Sequence, residues 1–289
     1  MKTDRQRPGL RGEASPAARR GFTLVELLLV IAIIAILGAM LLPALSKAKS
    51  QTQGVSCMNN THEIMLAWAM YAADNRDNLV GNNDEGNQGL QTSDTWVFGV
   101  LSLAAGNTDN TNINYLVWHS VPNASNHGGM LGNYLGRNYP VFKCPADTST
   151  AIEGTKTVPR VRSLSMNGWV GSTVTWDNGA VVARKMTDFV NPGPSDIWVI
   201  RDERPDSINN GYFAVSMSTA QVVDAPANYH IKAGGQAFAD GHSEIHPWKT
   251  SLFQEVATSW NGAAAPNNVD REYLQSHSGQ YSHTYKPIP

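Results

Sequence analysis

The stretch GFTLVELLLVIAIIAILGAMLLPAL, residues 21–45, restricts what this chain can fold into more than any other. Between Leu24 and Leu45 only Glu26, Gly38 and Pro43 interrupt its apolar character. At about 1.5 Å per residue, a helix over residues 22–45 spans roughly 36 Å, enough to cross a hydrocarbon core about 30 Å thick. A carboxylate in such a run is costly unless it is paired or stays wet near the headgroups, so Glu26 needs an explanation.

The residues ahead of the run fix an orientation. Residues 1–21 carry Lys2, Arg5, Arg7, Arg11, Arg19 and Arg20 against Asp4 and Glu13, which leaves the rest of the chain about six units negative. Basic residues before an apolar span place residues 1–20 in the cytoplasm and the remainder across or beyond the membrane. A secretory signal peptide would have a shorter apolar core ending at a small-x-small site, whereas this run continues with helical spacing. A net negative main domain offers no phosphate-binding surface, so nucleic acid is not an expected partner.

Past the apolar run, Ala48, Gln51, Val55, Met58, Met65 and Trp68 or Ala69 recur at three- and four-residue spacings, so one helix is expected to reach about Ala73. Pro43 is expected to kink it, and Gly54 to weaken it without ending it. Beyond Asp74, TWVFGV, NYLVWHS, PVFKCPAD, RSLSMNGWVG, SDIWVIRDE, YFAVSM and GQAFADGHSEIHPW read as short strands, and GGMLGNYLG reads as a brief helix. The polar segment from Thr258 to the end reads as a surface wrap. The expected architecture is α+β: a long N-terminal membrane-spanning helix packed by its distal part on an antiparallel β-sheet domain.

Candidate chemistry lies in four places. Cys57 and Cys144 are the only cysteines, and in an oxidising compartment a bond between them would contribute roughly 4 to 5 kcal/mol on the chain-entropy account. The competing reading is two buried free thiols. In FADGHSEIHPW, Asp240, His242, Glu244 and His246 would share one face of a strand, and three of them could hold Zn2+. A Ca2+ site would draw on Asp240 with Asp202 or Glu203, so the candidate metal set is Asp202, Glu203, Asp240 and His242, with Ca2+ the candidate ion. Against both stands a hairpin turn at Asp240-Gly241, with His230 pairing across strands. A triad of His230, Asp202 and Ser243 or Ser216 can be drawn, but no nucleophile-elbow motif accompanies it, and no enzymatic activity is expected. Trp176 and Trp260 lie beside turns and are the tryptophans expected to make exposed contacts, for instance with a surface glycan.

Cutting the chain between Gly21 and Phe22 would give Phe22 an α-amino group. In a staggered assembly that amine could sit beside Glu26 of the next subunit, pairing two charges that are expensive apart. GFTLVELLLVIAIIAIL resembles the prepilin signal of type IV pilins and type II secretion pseudopilins. The resemblance implies that Gly21 precedes the cut by a prepilin peptidase, that Phe22 becomes the N-methylated mature terminus, that Glu26 is the assembly glutamate and that Pro43 is the helix-kinking proline. CMNNTHEIMLAWAMYAADNRDNLV, FKCPAD and HIKAGGQAFADGH are similar to segments of pilin-like proteins abundant in planctomycetes and verrucomicrobia. Their C-terminal signature, histidine followed nine residues later by Asp-Gly, falls here on His230, Asp240 and Gly241.

These resemblances imply a pilin-like fold with residues 1–21 a removed leader, 22–45 the transmembrane and assembly half of the helix, 46–73 its amphipathic half and 74–289 a periplasmic or extracellular domain. They imply a pilin or pseudopilin held in the inner membrane as a single-pass protein with a cytoplasmic N-terminus, then drawn into a periplasmic or cell-surface filament. The implied partners are prepilin peptidase, other subunits and an inner-membrane assembly platform. The alternative is a membrane-anchored envelope protein whose globular domain binds glycan or another surface component.

Overall fold

The computed structural model describes residues 22–82, 95–118, 128–172, 177, 180–254 and 259–281. A single helix, α1 (Leu24–Asp74), runs through the whole expected helical stretch, with Pro43 and Gly54 inside it. The chain divides into two units, the first ending at Lys47 and the second beginning at Ala48. In the first, every large apolar side chain of residues 22–45 is exposed. It is the one helix among the described residues long and apolar enough to cross a membrane.

In the second unit the distal part of α1 buries Gly54, Cys57, Thr61, Ile64, Met65, Ala67, Trp68 and Ala72. Their three- and four-residue spacing defines one helical face. This face is displaced from the expected one: Met65 and Trp68 belong to it, but Val55 is exposed and Met58 only half-buried. The reason is that Gly54, Cys57 and Thr61, which carry little apolar surface, point inward. A reading based on hydrophobicity alone favours their bulkier neighbours.

Eleven strands are formed among the described residues: β1 (Thr150–Glu153), β2 (Lys156–Pro159), β3 (Leu164–Asn167), β4 (Ala180–Val181), β5 (Trp198–Asp202), β6 (Tyr212–Phe213), β7 (Gln221–Val222), β8 (Ala233–Phe238), β9 (Ser243–Pro247), β10 (Ala263–Ala264) and β11 (Gln280–Tyr281). Five of them make the main sheet in the order β6-β3-β5-β8-β9, and the rest form three two-stranded ribbons. The main sheet is mixed, not purely antiparallel as expected, because β6 pairs with β3 in parallel, Met166 opposite Tyr212. The chain reverses after β5 and crosses to the far side of β3, and a strand placed there must run with β3.

β3, β5, β6, β8 and β9 were all expected as strands from their sequence, and β3, β5, β6 and β8 are buried along their whole length. Four other expectations fail. TWVFGV holds no strand, Asn114–Val117 is a one-turn helix (α2), and PVFKCPAD opens as a 3-10 turn over Tyr139–Phe142. GGMLGNYLG is a set of turns, not a helix. Its glycines serve close approach: a Cβ on Gly132 would lie 2.1 Å from the Val117 carbonyl oxygen, and Gly129 and Gly136 have φ of 64° and 57°.

After β9 come α3 (Ser251–Gln254) and then α4 (Val269–Ser276), a helix inside the stretch expected to wrap the surface. Asn268 caps α4, accepting from Asp270 N at 3.0 Å and Arg271 N at 3.1 Å. Two apolar clusters flank the sheet, one around Trp68, Trp96, Phe142 and Ile200, the other around Trp198, Phe213, Trp248 and Leu274.

Candidate functional site

At the start of α1, Thr23 and Glu26 form a reciprocal cap. Thr23 N–H and Thr23 Oγ1 donate to Glu26 Oε2 at 2.9 and 2.7 Å, and Glu26 N–H donates to Thr23 Oγ1 at 3.3 Å. Two donors of the first turn, which a helix cannot satisfy internally, thereby gain partners. Glu26 thus has a use within its own chain, which the assignment to assembly alone overlooks; the Thr-x-x-Glu spacing is the signal for it. Gly21 lies outside the described residues, and Phe22 beside it is exposed. Pro43 sits within α1, where it removes one N–H from the helical ladder.

The second unit gathers a cluster whose donors come from four segments. Cys57 comes from the buried face of α1, Cys144 from the turn after the Tyr139–Phe142 3-10 element, Asp202 from the end of β5 and His230 from the turn leading into β8. All four residues are buried, and their ligand atoms lie within 4.8 Å of one another. Cys57 Sγ is 3.1 Å from Asp202 Oδ2, Cys144 Sγ is 3.2 Å from His230 Nε2, and His230 Nε2 is 3.7 Å from Asp202 Oδ2.

The surrounding backbone holds these groups. Asp202 Oδ2 also accepts from Gly235 N at 3.1 Å, and Ser163 Oγ donates to Asp202 Oδ1 at 3.4 Å while accepting from Cys144 N at 2.8 Å. Gly235 is essential to the space, since a Cβ there would lie 2.8 Å from both Asp202 Oδ2 and Cys57 Sγ. The hydrogen bond with Cys144, then burial, then the charge of Asp202 push the Cys57 thiol pKa well up. Burial alone would lower the His230 pKa, but its contacts with Asp202 and Cys144 outweigh that and raise it to about 9.

The two cysteines are therefore buried neighbours, as a disulfide requires, with their sulfurs unjoined in this structure. The expected calcium set does not assemble. Asp202 belongs to the buried cluster, whereas Glu203 accepts from Ser207 Oγ at 2.7 Å, and burial pushes its pKa up to about 7. Asp240 and His242 are exposed on the turn joining β8 to β9. There Asp240 Oδ1 accepts from His242 N at 3.1 Å, Gly241 adopts φ 94°, and the Gly241 carbonyl meets His62 Nδ1 of α1 at 2.9 Å. The turn thus fits the hairpin reading, but His230 does not pair across strands; it enters the cluster. His230 and the Asp240-Gly241 pair bracket β8 at its two ends.

The triad does not form from the expected residues. Ser216 Oγ bonds to Asp177 at 2.8 Å and Ser243 Oγ accepts from Thr61 at 3.0 Å, so neither serine is placed on His230. Trp176 is outside the described residues. Trp260 donates to the Val223 carbonyl at 2.6 Å, while Trp118, which was not singled out, is exposed with Arg137 3.8 Å above its ring.

Residues 16–42 match the family described as the prokaryotic N-terminal methylation motif. Together with the membrane-length apolar helix, this match defines an N-terminal methylation-type signal and anchor leading to a globular α+β domain. No curated protein and no solved structure matches the chain.

Proposed function

We propose that this chain is a non-enzymatic structural subunit of a type IV pilus or type II secretion-like filament. On this reading a prepilin peptidase cuts between Gly21 and Phe22, Phe22 is N-methylated, and the helix is stored in the inner membrane until an assembly platform moves it into a filament of like subunits. The observation that carries the reading is the run of exposed apolar side chains over residues 22–45, interrupted by Glu26, most of which falls in the segment 16–42 that matches the methylation motif. Such a surface needs lipid or other helices around it, and a filament core of packed helices supplies the second. The pilin-like fold is part of the proposal, supported by the packing of the distal part of α1 on the domain that carries the mixed sheet.

The test compares wild type with Glu26→Ala in cells. The wild-type chain should begin at Phe22 carrying an N-methyl group and should be found in filaments sheared from the surface. Glu26→Ala should be cut and membrane-bound but absent from filaments. A native chain that retains residues 1–21 would overturn the proposal. So would wild-type protein that stays in the membrane and still binds surface glycan, which would favour the envelope-anchored alternative.

A further inference from the structure

We propose that Cys57, Cys144, Asp202 and His230 bind one Zn2+ ion in a closed, four-coordinate structural site. The donor set is two thiols, one imidazole and one carboxylate, the ligand classes zinc takes in tetrahedral sites. With zinc bonds of about 2.0 to 2.3 Å, the ligand atoms of a tetrahedron stand roughly 3.3 to 3.8 Å apart. The separations of 3.1, 3.2 and 3.7 Å around the cluster are within a few tenths of an ångström of that range. The other separations are at most 4.8 Å, so small side-chain shifts close the four donors on one ion. Calcium would want six or more oxygen ligands, and only Asp202 offers any here.

The alternative use of the same residues is a disulfide, since the two sulfurs lie within 4.8 Å of each other and Cys57 hydrogen-bonds to Cys144. Each sulfur lies against a different non-sulfur group, Cys57 against Asp202 and Cys144 against His230. Joining the sulfurs would use two of the four donors and leave Asp202 and His230 as an ion pair at 3.7 Å. A divalent ion uses all four, each thiol losing its proton as its sulfur binds.

The surroundings are also those of a held site. Gly235 leaves room that any side chain would fill, and Ser163 links Cys144 to the second oxygen of Asp202. With Nε2 on the ion, His230 would carry its proton on Nδ1, which is buried without a hydrogen-bond partner among the described residues. A groove of about 430 Å³ lined by Ser50, Gln51, Val55, Met58, His230 and Ile245 adjoins the His230 side and has room for a water. Because the four ligands come from α1, a turn and two strand ends, the ion would tie the helix to the sheet. This inference stands whether or not the chain enters a filament.

The test uses the full chain in detergent. Protein purified from the envelope should contain one zinc per chain and two free thiols by intact mass. After reduction and removal of metal under argon, it should bind one equivalent of Co2+ with thiolate charge-transfer and tetrahedral d–d absorption, and one equivalent of Zn2+ should displace it. Cys144→Ser and His230→Gln should weaken Zn2+ binding, measured against a chromophoric chelator, by more than the ~10- to 100-fold lost with an outer partner. Asp240→Asn and His242→Ala, on the exposed turn, should leave it unchanged. The proposal fails if envelope-purified protein is two hydrogen masses light with a Cys57–Cys144 bond. It equally fails if the reduced wild-type chain shows no cobalt–thiolate band, a readout that does not depend on any variant folding.

Discussion

The carboxylate Oδ2 of Asp202 lies 3.1 Å from Cys57 Sγ, joining residues 145 positions apart at the seam between α1 and the main sheet. Two glycines let these elements meet, and they do so differently. At Gly235 the strand passes so close that a Cβ would overlap both groups at 2.8 Å. At Gly54 a Cβ would rest 3.5 Å from Ile245 and 3.7 Å from His230 Nδ1, ordinary contact distances.

The two glycine-to-alanine changes should therefore have opposite signs. Gly235→Ala should lower stability by about 1 to 3 kcal/mol, as overpacking does, and should expose the Cys57 thiol to alkylation. Gly54→Ala should raise it by about 0.5 to 1 kcal/mol through helix propensity and lower unfolded-state entropy. Denaturant titrations of the full chain in detergent measure both. A destabilised Gly54→Ala would mean that the seam is tighter than these distances show.

Glu26 has two separable roles, and glutamine divides them. A capping box accepts Gln as well as Glu at its third position, so Glu26→Gln keeps the cap with Thr23 while removing the charge that would meet a neighbouring terminal amine. Glu26→Gln should leave membrane insertion intact and reduce filament incorporation at least tenfold by quantitative blotting of sheared material. Thr23→Ala, which damages the cap and spares the charge, should lower incorporation far less. Equal incorporation of Glu26→Gln and wild type would show that Glu26 only caps.

What could be read in advance follows the physics of each segment. Residues 22–45 and the strand containing Trp198 announce themselves because long apolar runs and short β-branched runs have few other uses. The cluster was half legible: each of its residues was singled out, but for different roles. The sequence pairs Cys57 with Cys144, and it offers Asp202 as a calcium ligand, His230 as part of a signature and the two together only in a triad with a serine. Only the fold brings 57, 144, 202 and 230 together, since no local spacing links them. Arg201 shows a similar limit: a register shift between Trp198 and Ile200 sets its guanidinium 4.0 Å from the Trp198 ring. Strict alternation would put those two residues on opposite faces, so the stack, and the burial that pulls the Arg201 pKa down to about 9, could not be foreseen.

Asp270 holds the C-terminal region to β9. Its carboxylate accepts from Lys249 N at 2.9 and 3.1 Å, from Thr250 N at 2.8 Å and from Thr250 Oγ1 at 2.6 Å, all while buried. Removing it strands two backbone donors, each costing about 1 to 3 kcal/mol when left unmet in a dry place. Asp270→Ala should lower stability by about 2 to 4 kcal/mol, and Asp270→Asn by less, because the amide oxygen still accepts. Hydrogen exchange should localise the loss to α3 and α4. Exchange rising uniformly across the sheet would contradict a local clasp.

Glu244 supplies a pH dependence whose sign can be worked out. Its carboxylate is held first by the His246 imidazole, 3.6 Å away, and further by Gln236 Nε2 at 2.7 Å and the Tyr273 hydroxyl at 3.2 Å, which together lower its pKa to about 2 despite partial burial. A carboxyl whose pKa is lower in the folded than in the unfolded chain stabilises the fold at full strength above its ordinary value of 4.5. That contribution fades as pH falls from about 5 through about 2, below which both states are protonated. Glu244→Gln should therefore be less stable than wild type at pH 6, and the gap should close as the acid titration proceeds. The side chain is 43% exposed, so solvent screens the pair and the effect should be smaller than the shift alone implies. Parallel urea titrations of both proteins between pH 6 and 2 give the difference directly. A gap that widens on acidification would reverse the sign and show that the Glu244 contacts favour its protonated form.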